Sequence, residues 1–461
     1  MEFWIGIFNL ILLFNIGLIF FFGLFRVRFV RKIIKPNIIV NTTQRPFVSV
    51  HLAICDEPPS IVLETLSSIL RLDYKNYELI IISNNTTNTS SWLPIQKFAE
   101  QHKTRIKFYH FDQVDGNKAG ALNIALEKMS IFTKYIFTVD ADYKLEQNAL
   151  GFAVNSILDK EVDLLQFPQD YRNSCKNTEG LQLHYKHYFE CYLSSKESHN
   201  FGLPTGTLTL VNARIFKDGM RWPTETITED ARLGIELLAR KYSIGFSNIS
   251  IGKGTMPLTI IDYNKQLKRW VFGNFQTLVS LLSKRIDFSK KLRLMTMLTA
   301  WINLLALPIT CTYLVLLLSF TTNLRLEKTV LLIGISVVAH LSIQYYIFFV
   351  TSRFNIRKAL KALLVHIGTL EIGSFHWLLY FLNRERPFVR TNKYLVPNTM
   401  PNTYFLIPTS MFILGIISLL LSQQVIGLVF LVISILIFLG KLQLISEIYH
   451  SKFNYSRLFK F

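Results

Sequence analysis

The first apolar stretch constrains the fold of this chain more than any other feature. Phe3 to Phe25 is a run of 23 residues without a charged side chain. At about 1.5 Å of rise per residue, a helix of this length measures roughly 34 Å, enough to cross the hydrocarbon core of a bilayer. No basic segment precedes the run and no small-residue cleavage site follows it, so a cleaved signal peptide fits poorly. We therefore predict a retained transmembrane helix over residues 1–30.

Basic residues follow this stretch directly and set its predicted orientation. They are Arg26, Arg28, Arg31, Lys32 and Lys35. Because basic flanks stay on the cytoplasmic side, we expect an N-terminus outside the cell and a cytoplasmic segment after the helix. The chain is thus predicted to be an integral, multi-pass protein of the plasma membrane.

The chain carries a formal net charge of +19. Such a charge is compatible with nucleic-acid binding, and also with basic membrane flanks beside a site for an anionic, phosphate-bearing substrate. The basic residues cluster next to apolar stretches, so we expect membrane lipid and no nucleic acid among the partners. The four cysteines, at 55, 175, 191 and 311, lack CxxC spacing, which argues against a zinc site or a disulfide framework and suits a reducing cytosol.

Residues 43–285 have a different character, with frequent charges and short apolar runs. Runs typical of buried strands lie at 47–54, 77–83, 105–111, 135–140 and 162–167, and helical spacing at 59–72 and 118–129. This alternation predicts an α/β domain with a mostly parallel sheet that is covered on both faces. Ligands of such sheets bind beyond the carboxyl ends of the strands, so we expect the chemistry to follow the strand runs.

Charge-free stretches return after residue 294. Two predicted transmembrane helices occupy 294–352 and are joined by a short outside loop. Two more are predicted over 404–446, with a hairpin at 422–424, and a basic cytoplasmic tail follows at 447–461.

The segment 362–383 is long enough to span a membrane but carries Glu371 near its middle. A charge at the midplane costs at least ~2.5 kcal/mol. If this segment crossed, the basic loop 384–393 would lie outside the cell. We therefore predict an interfacial helix and a cytoplasmic loop over 353–403, and five crossings in the whole chain.

Two aspartates follow the strand run 135–140, in the sequence TVDADY. At strand spacing, Asp140 and Asp142 point to the same side, and two carboxylates there form a site for a hard divalent cation, Mg²⁺ or Mn²⁺. Such an ion can bridge the phosphates of a nucleotide and neutralise a leaving diphosphate. A polar strand end that leads into a helix is the alternative interpretation.

The sequence ITEDARLGIELLAR predicts the start of a helix. Thr228 is a good helix cap, and Glu229 and Asp230 fall in the first turn, where the helix dipole favours carboxylates. A purely structural role is one interpretation, and a carboxylate that faces the site as a general base is the other.

The sequence QLKRW predicts a third functional group of residues. On a helix, Gln266, Arg269 and Trp270 share a face. Arginine offers a forked donor to phosphate oxygens, and tryptophan offers a flat face for a sugar ring. An amphipathic helix at the membrane surface, with snorkelling basic side chains, is the alternative.

In this order, the motifs resemble those of the inverting family 2 glycosyltransferases with membrane spans, the group that contains cellulose, hyaluronan and bacterial β-glucan synthases. The resemblance covers about residues 46–285 and 386–393 and looks closest to bacterial β-1,3-glucan-type synthases. The matching segments are CDEPPSIVLETLSSILRLDY, DGNKAGALN, VDADY, PQDY, GTLTLV, ITED, GTMPLTIIDYNKQLKRWVFGNFQ and PFVRTNK. The resemblance implies a cytoplasmic GT-A-like (Rossmann-type) domain inserted between transmembrane helices, and QxxRW implies a processive, polymer-making enzyme.

The resemblance also implies roles on the donor side of the site. Glu57 and Lys118 would line the nucleotide-sugar pocket. Asp140 and Asp142 would hold the diphosphate of a UDP-sugar through Mg²⁺ or Mn²⁺.

On the acceptor side, the resemblance implies that Asp230 takes the proton from the acceptor hydroxyl, supported by Glu229 and Thr228. The acceptor oxygen would attack the anomeric carbon while UDP leaves from the opposite face, so that an α-linked donor gives a β-linked product.

The remaining implied roles concern the donor diphosphate, the acceptor end and a loop. Gln266, Arg269 and Trp270 would lie at the donor diphosphate and the acceptor end. A gating loop that covers the donor when UDP is bound is matched by Phe388, Arg390, Thr391 and Lys393, of which the last two are the best candidates for phosphate contact. A solvated basic anchor on anionic lipid is the alternative interpretation of this loop.

Ser83 departs from the family pattern, which usually has an aspartate there that helps to hold the nucleotide. The departure concerns the preference for the nucleobase, the affinity for the donor, or both.

Three functions remain under consideration. The first is transfer of a hexose from a UDP-sugar to a growing β-linked polysaccharide, as in a β-glucan or cellulose-like synthase. The others are transfer of a single sugar to a lipid or short glycan, and a catalytically inactive membrane subunit.

Overall fold

The computed structural model of this protein describes residues 2–30, 44–193, 201–321, 326–382, 391–396, 400–421 and 423–458. Two residues of the predicted gating loop, Phe388 and Arg390, lie outside these ranges. The first helix, α1 (Glu2–Val30), contains the apolar stretch that opens the chain.

The described residues of the region that was predicted to form the α/β domain contain ten strands. They are β1 (Val48–Ile54), β2 (Tyr77–Asn84), β3 (Ile106–Phe111), β4 (Tyr135–Thr138), β5 (Lys144–Leu145), β6 (Leu164–Gln166), β7 (Asp170–Tyr171), β8 (Thr209–Asn212), β9 (Ile244–Phe246) and β10 (Gly252–Gly254). Seven of them form one sheet in the order β3-β2-β1-β4-β8-β6-β9, and β5, β10 and β7 form a small second sheet. In the large sheet only β8 runs antiparallel to its neighbours.

Helices cover both faces of the large sheet. Those of this region are α2 (Pro59–Leu70), α3 (Thr89–Gln101), α4 (Asn117–Lys128), α5 (Ala149–Lys160), α6 (Glu179–His187), α7 (Arg214–Lys217), α8 (Glu229–Ala239), α9 (Ile260–Ser283) and α10 (Phe288–Leu298). Successive residues of β2 point to opposite faces. Leu79 and Ile81 pack in the core with α2, α3 and α5, whereas Ile80 and Ile82 pack against α4. This is why residues 79–82 of β2 are apolar at every position rather than at alternate ones.

The described residues of the C-terminal region form six α-helices. They are α11 (Ala306–Thr321), α12 (Glu327–Thr351), α13 (Ile356–Ile367), α14 (Leu370–Phe375), α15 (Leu406–Leu420) and α16 (Gln424–Leu458). Among the described residues, three helices are long and apolar enough to cross a membrane, Phe3–Arg28, Glu327–Thr351 and Gln424–Leu458. The helices α11 and α15 are apolar but shorter.

The apolar stretch from residue 294 is divided between two helices rather than continuous. The chain leaves the helical conformation after Leu298 and resumes it at Ala306. Asn303 stabilises the break, because its side chain accepts a hydrogen bond from Leu305 N–H (3.1 Å) and donates one to the carbonyl of Leu370 (3.0 Å). We call residues 299–305 the connector.

The segment with Glu371 is bent. The helix α13 and the helical residues Leu370–Leu382 meet at an angle of 57°. At the bend, a Cβ on Gly368 would lie 2.6 Å from the carbonyl oxygen of Gly440, so glycine permits a close approach to α16. The Glu371 carboxylate pairs with Lys441 of α16 at 2.8 Å. This ion pair offsets the charge that makes Glu371 unusual in an apolar segment.

Candidate active site

A cleft opens at the carboxyl end of β4, where Asp140 and Asp142 lie in the turn that follows the strand. The Asp140 amide donates to the hydroxyl of Thr207 (3.0 Å), which fixes the backbone of the turn. Asp142 is 4% exposed, and its carboxylate accepts a hydrogen bond from Thr255 N–H (2.9 Å). Both side chains line the same part of the cleft. The two carboxylates therefore share one polar site, although β4 itself ends at Thr138.

Lys118, the second residue of α4, lies at the centre of the cleft. Its ammonium group donates to the Asp140 carboxylate (2.5 Å) and to the carbonyl of Gly206 (2.8 Å), and Glu229 is 3.8 Å away. Burial alone would lower the pKa of Lys118, but the charges of Asp140 and Glu229 outweigh it and hold that pKa above its ordinary value. Lys118 is therefore a fixed positive charge in the cleft.

Asp230 lies in the first turn of α8, beside Lys118. One carboxylate oxygen accepts a hydrogen bond from Ala231 N–H (2.8 Å). Burial, followed by the charge of Glu229, raises the pKa of Asp230 to about 7. Gly206 has a positive φ of 78°, and a Cβ there would lie 3.0 Å from Asp230 Oδ2 and 3.3 Å from Lys118 Nζ. Glycine at 206 thus keeps the space between the carboxylate and the lysine open.

Thr228 occupies the position before α8, but its hydroxyl accepts no capping hydrogen bond. The expected cap is therefore not formed. The hydroxyl lies instead 3.4 Å from that of Thr277 on α9. Thr228 therefore connects the start of α8 to α9, the helix that carries the QLKRW sequence.

Gln266, Arg269 and Trp270 all line the cleft from α9. Tyr185 of α6 donates a hydrogen bond to Gln266 Oε1 at 2.7 Å. Its ring also meets that of Trp270 edge-on, with ring centroids 5.7 Å apart.

Trp301 of the connector extends this group of rings. Its centroid is 5.0 Å from that of Trp270, and it stacks on Tyr188 at 6.1 Å with an interplanar angle of 24°. Four rings, Tyr185, Tyr188, Trp270 and Trp301, therefore form one aromatic wall.

The cleft has two compartments that we name by their linings. The charged pocket contains Cys55, Glu57, Asn84, Asp142, Thr391 and Lys393. The aromatic pocket contains the four rings of the wall together with Glu229 and Asp230. Both pockets share Lys118, Asp140, Gln169, Tyr171, Gln266 and Arg269. The shared residues form the passage between the pockets.

The described part of the predicted gating loop reaches the charged pocket. Lys393 pairs with Asp142 at 2.7 Å, and its ammonium group is 3.9 Å from Glu57. Burial opposes the charged form of Lys393, but the nearby charges of Asp142 and Glu57 hold its pKa above the ordinary value. Thr391 lines the same pocket, and Asn392 N–H donates to Asp262 of α9 (3.2 Å).

Ser83 does not line either pocket. It is fully buried, and its hydroxyl is hydrogen-bonded to the His110 ring at 3.0 Å. The next residue, Asn84, lines the charged pocket instead. The serine thus belongs to the packing between β2 and β3.

Every described residue that sequence reasoning assigned to the site lines the cleft, and Thr228 is among them. The same reasoning missed Tyr185, Tyr188, Gly206 and Trp301. An aromatic-rich sequence, HYKHYFECY at 184–192, was a visible signal for the first two. Trp301 was hidden inside an apolar stretch. Gly206 begins the matching segment GTLTLV, to which no role had been assigned.

The chemistry of Asp140 and Asp142 fits a divalent cation. Both carboxylates bind an ammonium group, from Lys118 and Lys393 respectively, so positive charge is accommodated at their oxygens. Among the described residues there is no group of three or more His, Cys, Asp or Glu side chains arranged to hold a metal. A cation here would therefore take its other ligands from substrate phosphates, as Mg²⁺ commonly does.

Two family models match overlapping parts of the chain. Residues 49–220 match the model described as "Glycosyl transferase family 2", and residues 135–354 match "Glycosyl transferase family group 2". A poly-beta-1,6-N-acetyl-D-glucosamine synthase of Staphylococcus epidermidis is 26% identical over 231 residues, which are 50% of this chain and 55% of that protein. The protein of the same name from Staphylococcus aureus strain COL is 26% identical over 269 residues, 57% of this chain and 62% of that protein. The matches thus span little more than half the length of these relatives.

A solved structure shares the fold. A mannosyltransferase from Pyrobaculum calidifontis, in complex with GDP-Man and Mn²⁺, superposes with a TM-score of 0.55 at 17% identity and covers 77% of this chain and 99% of its own. The α/β, GT-A-like fold class is confirmed by this likeness and by the sheet described above. The resemblance to family 2 is confirmed by the two overlapping family matches, which together cover residues 49–354. The chain therefore contains a family 2 glycosyltransferase domain.

Proposed function

We propose that this chain is a membrane-embedded inverting glycosyltransferase that transfers a sugar from a UDP-sugar to the hydroxyl of a growing β-linked polysaccharide. One observation carries the proposal. A single cleft joins a charged pocket to an aromatic pocket, with Asp230 in the aromatic pocket next to the shared Lys118.

The charged pocket suits the nucleotide diphosphate. Lys118 and Arg269 lie in the passage between the pockets, where they would meet the phosphate that bears the sugar. An ammonium group and a guanidinium bind phosphate oxygens through charge-assisted hydrogen bonds. They would also stabilise the negative charge that builds up on the leaving diphosphate.

The aromatic pocket suits the acceptor. The rings of Trp270 and Trp301 present apolar faces on which a sugar can stack, and Asp230 offers a carboxylate at the edge of the wall. Asp230 would take the proton of the acceptor hydroxyl. At the same time, the acceptor oxygen forms a bond to the anomeric carbon and the bond between that carbon and UDP breaks. A base with a pKa of about 7 is suited to this transfer near neutral pH. Attack opposite the leaving group inverts the anomeric configuration.

Asp140 and Asp142 would hold the divalent cation, Mg²⁺ or Mn²⁺. The cation would supply charge neutralisation at the diphosphate when bound. The mannosyltransferase with the related fold is described with Mn²⁺, which supports this assignment.

We also propose the topology of five crossings, with the N-terminus outside and the catalytic domain over 43–285 in the cytoplasm. Lys441 lies 17 residues after the start of α16, about 26 Å along the helix. Its partner Glu371 would thus lie near the cytoplasmic boundary, which supports an interfacial position for 362–383.

Cysteine labelling tests this topology. A single cysteine placed at Thr391 should resist an impermeant thiol reagent in intact cells, and labelling from outside would overturn the five-crossing topology.

The experiment that tests the proposed function is donor and product analysis. Membranes that contain the full chain are incubated with UDP-glucose, UDP-N-acetylglucosamine, other UDP-hexoses and GDP-mannose, and the products are sized. The N-acetylglucosamine polymer made by the staphylococcal relatives, according to their names, makes UDP-N-acetylglucosamine the first donor to compare with the hexoses. We expect a ladder or a high polymer from one UDP-sugar. No product from any donor would favour an inactive subunit.

Transfer of a single sugar to a lipid or short glycan is the second candidate. The observation that favours it is the small number of candidate spans, three in the described residues or four if the bent pair is one span. One discrete product of fixed size would establish this alternative.

A further inference from the structure

A small cavity lies between α1, the connector and α12, apart from the catalytic cleft. Polar groups from all three elements face it, Arg26, Thr299, Asn303, His340 and Gln344. The remaining lining is apolar and includes Ile19, Phe22 and Ile343. The cavity therefore joins an apolar wall to a few buried polar groups.

Arg26 is the charged residue of this cavity and is only 7% exposed. One terminal nitrogen of its guanidinium donates to the carbonyls of Thr299 (2.5 Å) and Ile302 (3.2 Å) and to the Thr299 hydroxyl (3.3 Å). All these acceptors are neutral. Among the described residues, no carboxylate pairs with Arg26. A buried guanidinium without an opposite charge is costly, so this position calls for an anion.

Two hydrogen-bond donors of the cavity have no partner among the described residues. They are Nε of Arg26 and Nε2 of Gln344, and Gln344 is 2% exposed. A buried donor without an acceptor loses its hydration without compensation. Both groups donate, so a ligand that satisfies them must be rich in acceptors. A phosphate group provides both the acceptor oxygens and the negative charge.

The position of the cavity indicates where the phosphate comes from. Arg26 directly follows the apolar run of α1, at the level where a helix leaves the hydrocarbon core for the headgroup region. Basic pockets between membrane helices at this level bind anionic lipid headgroups. Ile19, Phe22 and Ile343 offer apolar contacts to the acyl part of the same molecule.

We propose that this cavity binds the phosphate group of an anionic membrane lipid, and that the bound lipid fixes the connector in place. The Arg26 bonds to Thr299 and Ile302 bracket Trp301, which forms part of the aromatic wall. Lipid bound here would therefore hold Trp301 towards the acceptor. This second part rests on the proposed function, whereas the binding site itself does not.

Lipid binding is measured without turnover, so its result is independent of the catalytic proposal. The purified full chain is placed in phosphatidylcholine nanodiscs with increasing phosphatidylglycerol, and the retained phosphatidylglycerol is counted by native mass spectrometry. Arg26→Gln should weaken retention about fivefold, the scale of one basic residue against an anionic headgroup. Arg28→Gln is the matched control, because Arg28 is an exposed arginine on the same helix. Equal retention by wild type and Arg26→Gln would overturn the site.

A second variant tests the need for an anion directly and does not remove the arginine. Gln344→Glu places a carboxylate in the same cavity, where it would supply the missing negative charge. We expect this variant to lose phosphatidylglycerol retention. We also expect it to keep full activity in pure phosphatidylcholine, whereas the wild type should lose activity there because no lipid phosphate holds the connector. Retention equal to that of the wild type would overturn the proposal.

A third arm separates lipid phosphate from free phosphate. Inorganic phosphate is added to the wild type in pure phosphatidylcholine. We expect no recovery of activity, because the ligand is held by its apolar part as well as by its phosphate. Full recovery would show that the cavity takes a free anion and would overturn the lipid assignment.

Discussion

The charged pocket and the aromatic pocket share one cleft but are built in different ways. The charged pocket contains two ion pairs, Lys118 with Asp140 and Lys393 with Asp142. The aspartates follow the end of β4, Lys118 lies at the start of α4, and Lys393 belongs to the segment 391–396. The aromatic pocket contains rings from α6, from Tyr188 directly after it, from α9 and from the connector. A phosphate needs matched charge, whereas a sugar ring needs an apolar face. Each of the two substrates of a transfer reaction can therefore be assigned its own part of the cleft.

The largest expected effect comes from Asp230, the proposed base in the aromatic pocket. Asp230→Asn keeps the shape of the side chain but removes its ability to accept a proton. We expect turnover to fall by about 10³-fold, within the range that general bases contribute, and UDP binding to change less than twofold. Turnover and calorimetric UDP binding are measured on the same preparation. Glu229→Gln, one residue earlier, is the comparison variant and should lose far less activity. Wild-type turnover in Asp230→Asn would remove the base assignment.

The second-largest effect on turnover is expected from removal of the divalent metal, which we place in the charged pocket. EDTA is expected to lower turnover by roughly 10²-fold or more, because a bound cation contributes several kcal/mol at a phosphoryl group. Added Mn²⁺ or Mg²⁺ should restore the rate. EDTA already saturated with Mg²⁺ controls for the chelator itself. Unchanged turnover in EDTA would exclude the metal role of Asp140 and Asp142.

A smaller effect is expected from pH, which should change the rate of transfer but not the binding of UDP. Burial raises the pKa of Asp230 to about 7, and only the ionised form can accept the proton. The rate should therefore rise with pH, and we expect it to be about tenfold lower at pH 6 than at pH 8. UDP binding, measured over the same range, should not follow this curve. A flat rate profile between pH 6 and 8 would contradict the raised pKa.

Much of the sheet could be predicted from the sequence, because its strands carry a local signal. The runs that gave β1 to β4 are six to eight residues long and mostly apolar. The antiparallel strand β8 was missed, since four residues, TLVN, carry too little periodicity and its place between β4 and β6 depends on contacts distant in sequence. The same holds for β9, which has three residues.

The site shows the same division between local and distant information. The residues of the charged pocket belong to short motifs, such as VDADY, whose charged side chains can be recognised from the sequence alone. Trp301 could not be predicted, because it reaches the cleft only through the break after Leu298. That break depends on the hydrogen bond from Asn303 to Leu370, 67 residues away. The partner of Glu371 was equally invisible, since Lys441 belongs to α16.

The smallest expected effect concerns the hydrogen bond between Tyr185 and Gln266, which links the aromatic wall to the passage. Tyr185→Phe keeps the ring of the wall and removes only the hydroxyl that donates to Gln266 Oε1. A lost hydrogen bond of about 1 kcal/mol predicts an acceptor kcat/KM about fivefold lower, with the KM for the donor unchanged. Tyr192→Phe is the matched control, because the described residues offer no partner to its buried hydroxyl.

A double substitution decides whether Tyr185 acts through Gln266. If it does, Tyr185→Phe should cost nothing further in a chain that already carries Gln266→Ala. An equal loss in both backgrounds would mean that the tyrosine hydroxyl meets the acceptor itself. In that case Tyr185 would belong to the acceptor contacts, and the boundary between the two pockets would shift towards the charged side.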